Sequence, residues 1–363
     1  MATFTASRLT LARKRRGLNK TQLAEASDVL QRSITEYEAG RTVPEEETVR
    51  RLAKALRFPI EFFEGPELEV PEEQSVSFRS MASMKASQRD AARGAGAIAF
   101  ELQQWLDERF KLPIADIPDL KGMPPEQASA SLRERWGLGL QPIRSMVHLL
   151  ELHGVRVFSL AEQAREVDAF SVWHGSTPFC FLNTIKSFEH GRFDAAHELG
   201  HLVLHRHGHP HGRAAEQEAN AFASAFLMPA QMVRAHVPRG ASLPQLIQLK
   251  KTWNVSVAAL AHRSHDVGLL SDWLYRGLCI EMGRLGYRTN EPSPMPNRET
   301  SQVLNKIFTA LRDDGLSKSD VAKALRIHTS DLDAIVFGLV MTSVDGGGSS
   351  DASRAQRPNL RLV

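Results

Sequence analysis

The stretch RFDAAHELGHLVLHRHGHPHG, Arg192–Gly212, contains six of the fourteen histidines of this 363-residue chain. Its segment HELGH, residues 197–201, has the pattern HExxH. On a helix, His197 and His201 stand one turn apart on the same face, where both imidazoles can bind one Zn²⁺. Glu198 lies beside them and can accept a proton from a water that the metal activates. The segment therefore predicts a zinc site with Glu198 as the general base.

A zinc site that keeps one position open for water needs a third protein ligand. His205 lies too far along the helix axis to reach the same ion, so we expect it to be a cap or a surface residue. His207 has the spacing of a third histidine, but Leu204 stands where a sharp turn would need glycine, so it is the weaker alternative. We expect His209 and His211 to be exposed to solvent.

The next predicted helix, AAEQEANAFASAFLMP, offers a carboxylate instead. Glu216 lies on a stripe of small residues with Ala219, Asn220 and Ala223, which lets this helix press against the HExxH helix. Glu218 lies on a different stripe, so we predict Glu216 as the third ligand and little effect of Glu218 on metal binding. Asn220, one turn after Glu216, could orient a ligand histidine.

A second constellation lies near the N-terminus, in KTQLAEASDVLQRSITEYEAGRTVP, residues 20–44. Two short apolar-faced segments separated by a tight turn have helix-turn-helix spacing. Gln31, Arg32 and Thr35 would project from the second helix toward base edges, where arginine pairs with guanine and glutamine with adenine. Gln22, at the start of the first helix, suits a phosphate. The pattern predicts binding to a double-stranded DNA operator.

Two features of this segment point in opposite directions. Glu36 and Glu38 are unfavourable near DNA and leave open a plain three-helix dimerisation bundle. The basic run Arg13–Lys20 favours DNA. A weaker copy of the apolar spacing at residues 317–339 carries acids on the corresponding face, which favours a packing or dimerisation module there.

Composition places few limits on function. Charged residues make up 24% and apolar residues 42% of the chain, and the net charge is +3. No apolar run approaches the length needed to cross a bilayer, and the N-terminus lacks the pattern of a secretory signal, so we expect a cytoplasmic protein without a membrane partner. Cys180 and Cys279 are expected to be buried thiols and not a disulfide.

The order of predicted elements indicates a mainly α protein with a small β-sheet, an α+β fold. Three strand candidates, at residues 155–160, 168–175 and 177–184, precede the histidine segment. We expect a helix-turn-helix domain at 5–65, a linker at 66–83, the zinc domain at 84–270, a helical module resembling a helix-turn-helix at 271–340 and a disordered tail at 341–363.

Two parts of the chain resemble families that occur fused. Residues 8–63 resemble the Cro/C1-type (XRE) helix-turn-helix, which implies a five-helix bundle. Residues 130–265 resemble the ImmA/IrrE-type metallopeptidases through RFDAAHELGHLVLH and ExxANxFAxxFLMP. That resemblance implies a gluzincin-like domain with two histidines and a downstream glutamate as ligands, and cleavage of helix-turn-helix repressors as the activity.

The prediction from the sequence is a DNA-binding transcriptional regulator coupled to a zinc-dependent endopeptidase. Its substrate would be a repressor-type protein or the chain itself, and the regulator would act as a homodimer. The alternative is a transcription factor whose metallopeptidase-like domain only senses a ligand or a metal. Glu198 favours the enzyme, because a pure sensor needs no general base.

Overall fold

The computed structural model of the chain describes residues 4–73, 76–78, 85–160, 168–206, 212–287 and 289–340. It is mainly helical with one small sheet, as the sequence predicts. None of the helices in these ranges combines the length and the apolar character that a membrane crossing requires. The predicted tail and the residues His207, His209 and His211 lie outside the described residues.

The N-terminal residues form a bundle of four helices and one 3-10 turn. Their bounds are Ala6–Arg15 (α1), Lys20–Ser27 (α2), Gln31–Glu38 (α3), Glu46–Leu56 (α4) and Ile60–Glu64 for the 3-10 turn. Leu9, Leu23, Ile34 and Leu52 are fully buried between them. Asp28 ends α2 in the left-handed region, with φ of 52°, and this tight turn sets the angle between α2 and α3.

The basic run in and after α1 is engaged within the protein. Arg13 donates to Glu38, with Nε 2.6 Å from Oε1, and Lys20 lies 3.5 Å from the same carboxylate. Arg16 donates to both carboxylate oxygens of Asp331, over 2.7 and 2.9 Å. Three side chains of this basic run are therefore paired with two carboxylates of the same chain, Glu38 and Asp331.

A four-stranded sheet lies against the central helices. Helices α5 (Ala86–Asp107), α6 (Pro125–Arg135) and α7 (Met146–Leu152) accompany strands β1 (Ser77–Phe78), β2 (Arg156–Ser159), β3 (Ala169–His174) and β4 (Thr177–Leu182). The strand order is β1-β3-β4-β2, with β2 parallel to β4 and the other pairs antiparallel. The three predicted strands are confirmed. Strand β1 was not predicted, because two residues are too short to show an alternating pattern.

Helices α8 (Phe188–Leu204) and α9 (Arg213–Leu227) pack closely against each other beside this sheet. They come close at Gly200, where an added Cβ would lie 3.2 Å from the Cα of Ala219 and 3.1 Å from the ring of Phe222. A methyl group at residue 200 would therefore require a shift of a few tenths of an ångström, and a larger side chain would push the helices further apart. The predicted stripe of small residues on α9 meets α8 at this point.

The remaining helices complete the chain to residue 340. They are α10 (Ala230–His236), α11 (Leu243–Leu249), α12 (Val257–Asp266), α13 (Asp272–Arg284), α14 (Gln302–Asp313), α15 (Lys318–Ala324) and α16 (Thr329–Val336). The segment around α16 packs against both the sheet and the N-terminal bundle. Asp331 on α16 is 2% exposed and holds Arg16, and an added Cβ at Gly338 would lie 2.9 Å from the Cβ of Thr184. Residues 329–338 thus act as a packing element.

Candidate metal centre and nucleic-acid interface

Three donor groups converge where α8 meets α9. His197 Nε2 lies 3.0 Å from His201 Nε2 and 3.4 Å from Glu216 Oε2, and His201 Nε2 lies 3.3 Å from Glu216 Oε1. Among the described residues these three side chains form a group that could hold a metal ion. A tetrahedral ion with bonds of about 2.0–2.1 Å has ligand separations of about 3.3–3.4 Å. The spacing of the donors therefore fits a single ion of that size.

The far nitrogen of each imidazole is also engaged. His197 Nδ1 lies 3.1 Å from Asn220 Oδ1, and His201 Nδ1 lies 3.0 Å from His205 Nδ1. An Nδ1–H on each ligand histidine donates in these contacts and leaves the Nε2 lone pair directed toward the shared point. The position of Asn220 is the one that the sequence suggested for a residue orienting a histidine.

His205 is the C-terminal cap of α8 and also contacts a ligand histidine. It is the residue at the C-terminal end of α8, but its side chain is only 12% exposed, and its Nε2 lies 2.9 Å from Glu218 Oε2. His205 thus caps α8, the first of the two places expected for it, and also lies between His201 and Glu218. The spacing of one helical turn between His201 and His205 is the signal that could have revealed the contact.

The protonation states at this group suit metal binding. Burial lowers the pKa of His201 to about 4, so that its imidazole is neutral near pH 7. Burial alone would raise the pKa of Glu216, but the contacts of its carboxylate with His197 and His201 outweigh burial and lower the pKa to about 2. A neutral imidazole and an ionised carboxylate are the forms that coordinate metals.

Glu198 is fully buried beside the two histidines. Its Oε2 accepts a hydrogen bond of 2.7 Å from the Ser171 hydroxyl on β3, and the residue is not one of the three converging donors. Cys180 pairs with Ser171 across the sheet. Burial, and then the charge of Glu198, raise the pKa of the Cys180 thiol well above its usual value. As expected, the two cysteines are free thiols, although only Cys180 is fully buried.

The predicted DNA-contacting residues divide into two groups. Gln31 and Arg32 are exposed at the first turn of α3. Gln22 is also exposed, but its Oε1 accepts the backbone N–H of Asn19, 2.9 Å away, in a capping box. Thr35 is half-buried and donates its hydroxyl to the Gln31 carbonyl over 3.1 Å. The first turn of α3 therefore presents Gln31 and Arg32 to solvent, and Gln31 Oε1 accepts the Thr21 hydroxyl over 3.2 Å.

Comparison with protein families identifies both regions. Residues 6–61 match the family model described as a helix-turn-helix domain, and residues 150–265 match the model of a peptidase family described as an IrrE N-terminal-like domain. The chain carries a helix-turn-helix domain and an IrrE N-terminal-like domain. A search of curated proteins found no match. The first domain supports DNA-binding regulation, and the second is of a metallopeptidase type.

Within the helix-turn-helix domain, the two glutamates that counted against DNA binding are neutralised. Glu36 accepts from Arg41 over 2.6 Å, and Glu38 accepts from Arg13. Leu30, directly before α3, is 78% exposed and is not among the DNA-contacting residues predicted from the sequence. An apolar side chain at this position can contact the methyl group of thymine.

The close approach at Gly200 generates a prediction for the IrrE N-terminal-like domain. Gly200→Val should push α9 away from α8 and separate Glu216 from the two histidines. We expect affinity for a divalent metal to fall at least about tenfold, the lower limit for loss of ligand support. Gly191→Val is the matched control, because an added Cβ there would meet only an arginine tip at 3.6 Å. Equal metal affinities of the two folded variants, measured by chelator competition, would contradict the role assigned to Gly200.

Proposed function

We propose that the chain is a DNA-binding transcriptional regulator whose IrrE N-terminal-like domain is a zinc-dependent endopeptidase. Its substrate would be a helix-turn-helix repressor or the chain itself. The observation that carries the proposal is the group of His197, His201 and Glu216, with donor atoms 3.0–3.4 Å apart, next to a buried Glu198 that is not part of the group.

The donor set favours zinc. His197, His201 and Glu216 would hold the ion with two imidazole nitrogens and one carboxylate, a set typical of catalytic zinc sites that keep one position open. When bound, zinc would polarise a peptide carbonyl and lower the pKa of water. Glu198 would take the proton from the attacking water and pass it to the leaving amine. The Ser171 hydroxyl, 2.7 Å from Glu198 Oε2, would hold the carboxylate in place for both transfers.

A second candidate function is a metal or ligand sensor without peptidase activity. The observation in its favour is burial: His197 and Glu198 have no exposed surface, and His201 is 3% exposed. Of the three converging donors, only Glu216 is partly exposed, with 23% of its side chain accessible. Both candidates share the DNA-binding domain and differ only in whether a peptide bond is cut.

Glu198→Gln separates the two candidates. The variant should keep about one zinc per chain but lose cleavage by roughly 10² to 10⁴, the contribution of a general base. The measurement is mass spectrometry of products after the zinc-loaded protein is incubated with helix-turn-helix repressors. Undiminished cleavage by the variant would contradict the role of Glu198. A wild-type protein that binds zinc, and cuts neither itself nor any repressor tested, would favour the sensor.

The ligand assignment predicts graded losses of zinc. Glu216→Ala removes a ligand and should lower affinity most. Glu218→Ala should lower affinity by less than the roughly 10- to 100-fold typical of a residue bonded directly to a ligand, because Glu218 holds His205, which in turn orients His201. This revises the expectation from the sequence that Glu218 matters little. Glu218→Gln, whose amide oxygen still accepts from His205, should retain more affinity than Glu218→Ala.

Zinc competition with a chromophoric chelator measures these affinities. His207→Ala serves as the control and should match the wild type. Loss of zinc in His207→Ala together with retention in Glu216→Ala would show that the assignment of Glu216 as the third ligand is wrong. If Glu218→Ala binds zinc as tightly as the wild type, the contact between Glu218 and His205 does not support the site. That result would not affect the assignment of His197, His201 and Glu216 as ligands.

DNA recognition is predicted to depend on Arg32. Arg32→Ala should weaken binding to a specific operator by about 1–3 kcal/mol, the value of a bidentate contact to guanine. Arg50→Ala is the matched control, since it also removes one positive charge, but from a surface where Arg50 pairs with Glu46 and Glu47. Fluorescence anisotropy with the DNA upstream of the gene measures both. Equal losses in the two variants would mean that α3 does not read bases through Arg32.

A further inference from the structure

The outer face of α13 is a continuous exposed stripe. Its residues recur at the spacing of one helix face, and each of them is exposed: Trp273, Arg276, Gly277, Ile280, Glu281 and Arg284. Trp273 is 80% exposed and Ile280 57%. The opposite face of α13 buries Leu278 and Met282. Helix α13 is therefore anchored on one side, and the described residues leave the apolar side chains of the other side uncovered.

Gly277 at the centre of this stripe has no role in packing within the chain. An added Cβ there would meet no atom within 4 Å. Glycine weakens an exposed helix relative to alanine, so the position is unfavourable for a solitary helix. Between two large apolar side chains, however, a glycine allows a second backbone to approach closely. The position suits a helix that packs against another helix.

The charges on the stripe follow the heptad pattern of a paired helix. Trp273 and Ile280 occupy d positions, and Gly277 and Arg284 occupy a positions, which together face a partner helix. Arg276 then falls at g and Glu281 at e. Within the described residues, neither Arg276 nor Glu281 forms an ion pair. Side chains at g and e flank the contact between two helices and determine which partner and orientation are accepted.

We propose that α13 pairs in parallel with α13 of a second copy of this chain, about a two-fold axis that runs along the two helices. In that arrangement Trp273 meets Trp273, Ile280 meets Ile280, and each Arg276 reaches Glu281 of the other copy. An antiparallel pair would instead bring Arg276 near Arg276 and Glu281 near Glu281, which is repulsive. The charges at g and e therefore favour this occupant and this orientation, while Arg284, which faces its own copy at the last a position, weakens the pair.

A second copy also serves the first domain. Helix-turn-helix proteins that bind as dimers read two half-sites related by a two-fold axis. The reading of two half-sites by the dimer rests on the proposed DNA binding, whereas the contact between the two α13 helices does not. Helix α13 has 13 residues and is about 20 Å long, and one such pair buries less than the roughly 1,200–2,000 Å² of stable interfaces. We expect reversible dimerisation with a dissociation constant in the micromolar range, on the order of 1 µM or weaker.

Sedimentation equilibrium of the full chain, without DNA, at about 1 to 100 µM tests the pairing. The wild type should dimerise, and Ile280→Glu should raise the dissociation constant at least about tenfold. Leu152→Glu, at an exposed apolar residue outside α13 with 69% exposure, is the matched control and should leave the constant unchanged. Arg276→Glu and Glu281→Arg should each weaken the dimer, and the double variant should recover it.

Three results would overturn the proposal. The first is a wild-type chain that stays monomeric up to about 100 µM. The second is an equal effect of Ile280→Glu and Leu152→Glu. The third is a double charge reversal that does not recover the dimer lost in the single variants. Each is distinguishable from failure of the proposed function, because neither zinc nor DNA enters the measurement.

Discussion

The close contact between α8 and α9 at Gly200 and Ala219 is the constraint on which the candidate metal centre depends. An added Cβ at Gly200 would lie 3.2 Å from the Cα and 3.3 Å from the carbonyl oxygen of Ala219, so the two helix backbones approach more closely here than a Cβ ordinarily allows. Glu216 lies one turn before Ala219 on α9, and this approach brings its carboxylate within 3.4 Å of both imidazoles. A wider separation of the helices would leave the histidines without a third donor.

The surroundings of α8 fix the remaining groups. Strand β3 supplies the Ser171 hydroxyl to Glu198, while α9 supplies Asn220 to His197 and Glu218 to His205. The polar groups of the HExxH segment are thereby held by partners on β3, on α9 and at the end of α8 itself. Isolated polar groups in a buried helix would be costly, and these contacts offset that cost.

The local patterns in the sequence predicted much of this arrangement. The HExxH spacing and the stripe through Glu216 and Ala219 depend only on helix periodicity, which is visible within one or two turns. Strand β1 escaped prediction because it has two residues. The ion pair between Arg16 and Asp331 joins positions 315 residues apart. No local pattern in the sequence could therefore reveal that Arg16, at the end of α1, is paired with a carboxylate of the same chain. The contact of His205 with Glu218 likewise crosses from α8 to α9.

These distant pairs also determine how the helix-turn-helix domain is held. Arg8 on α1 is fully buried and donates to Glu101 on α5 over 3.0 Å, while Arg16 donates to α16. The domain is thus fixed through α1, and the first turn of α3, with Gln31 and Arg32, stays exposed. These ion pairs connect the helix-turn-helix domain to the rest of the chain. They leave Gln31 and Arg32, the residues predicted to contact bases, accessible at the surface.

The most direct test of the central claim is anomalous X-ray diffraction from crystals of the zinc-loaded protein, recorded on both sides of the zinc absorption edge. The account predicts one anomalous peak per chain, within bonding distance of His197 Nε2, His201 Nε2 and a Glu216 carboxylate oxygen, with Glu198 outside the coordination sphere. A peak coordinated by His207 or by Glu198, or a fully loaded protein with no peak between α8 and α9, would contradict it.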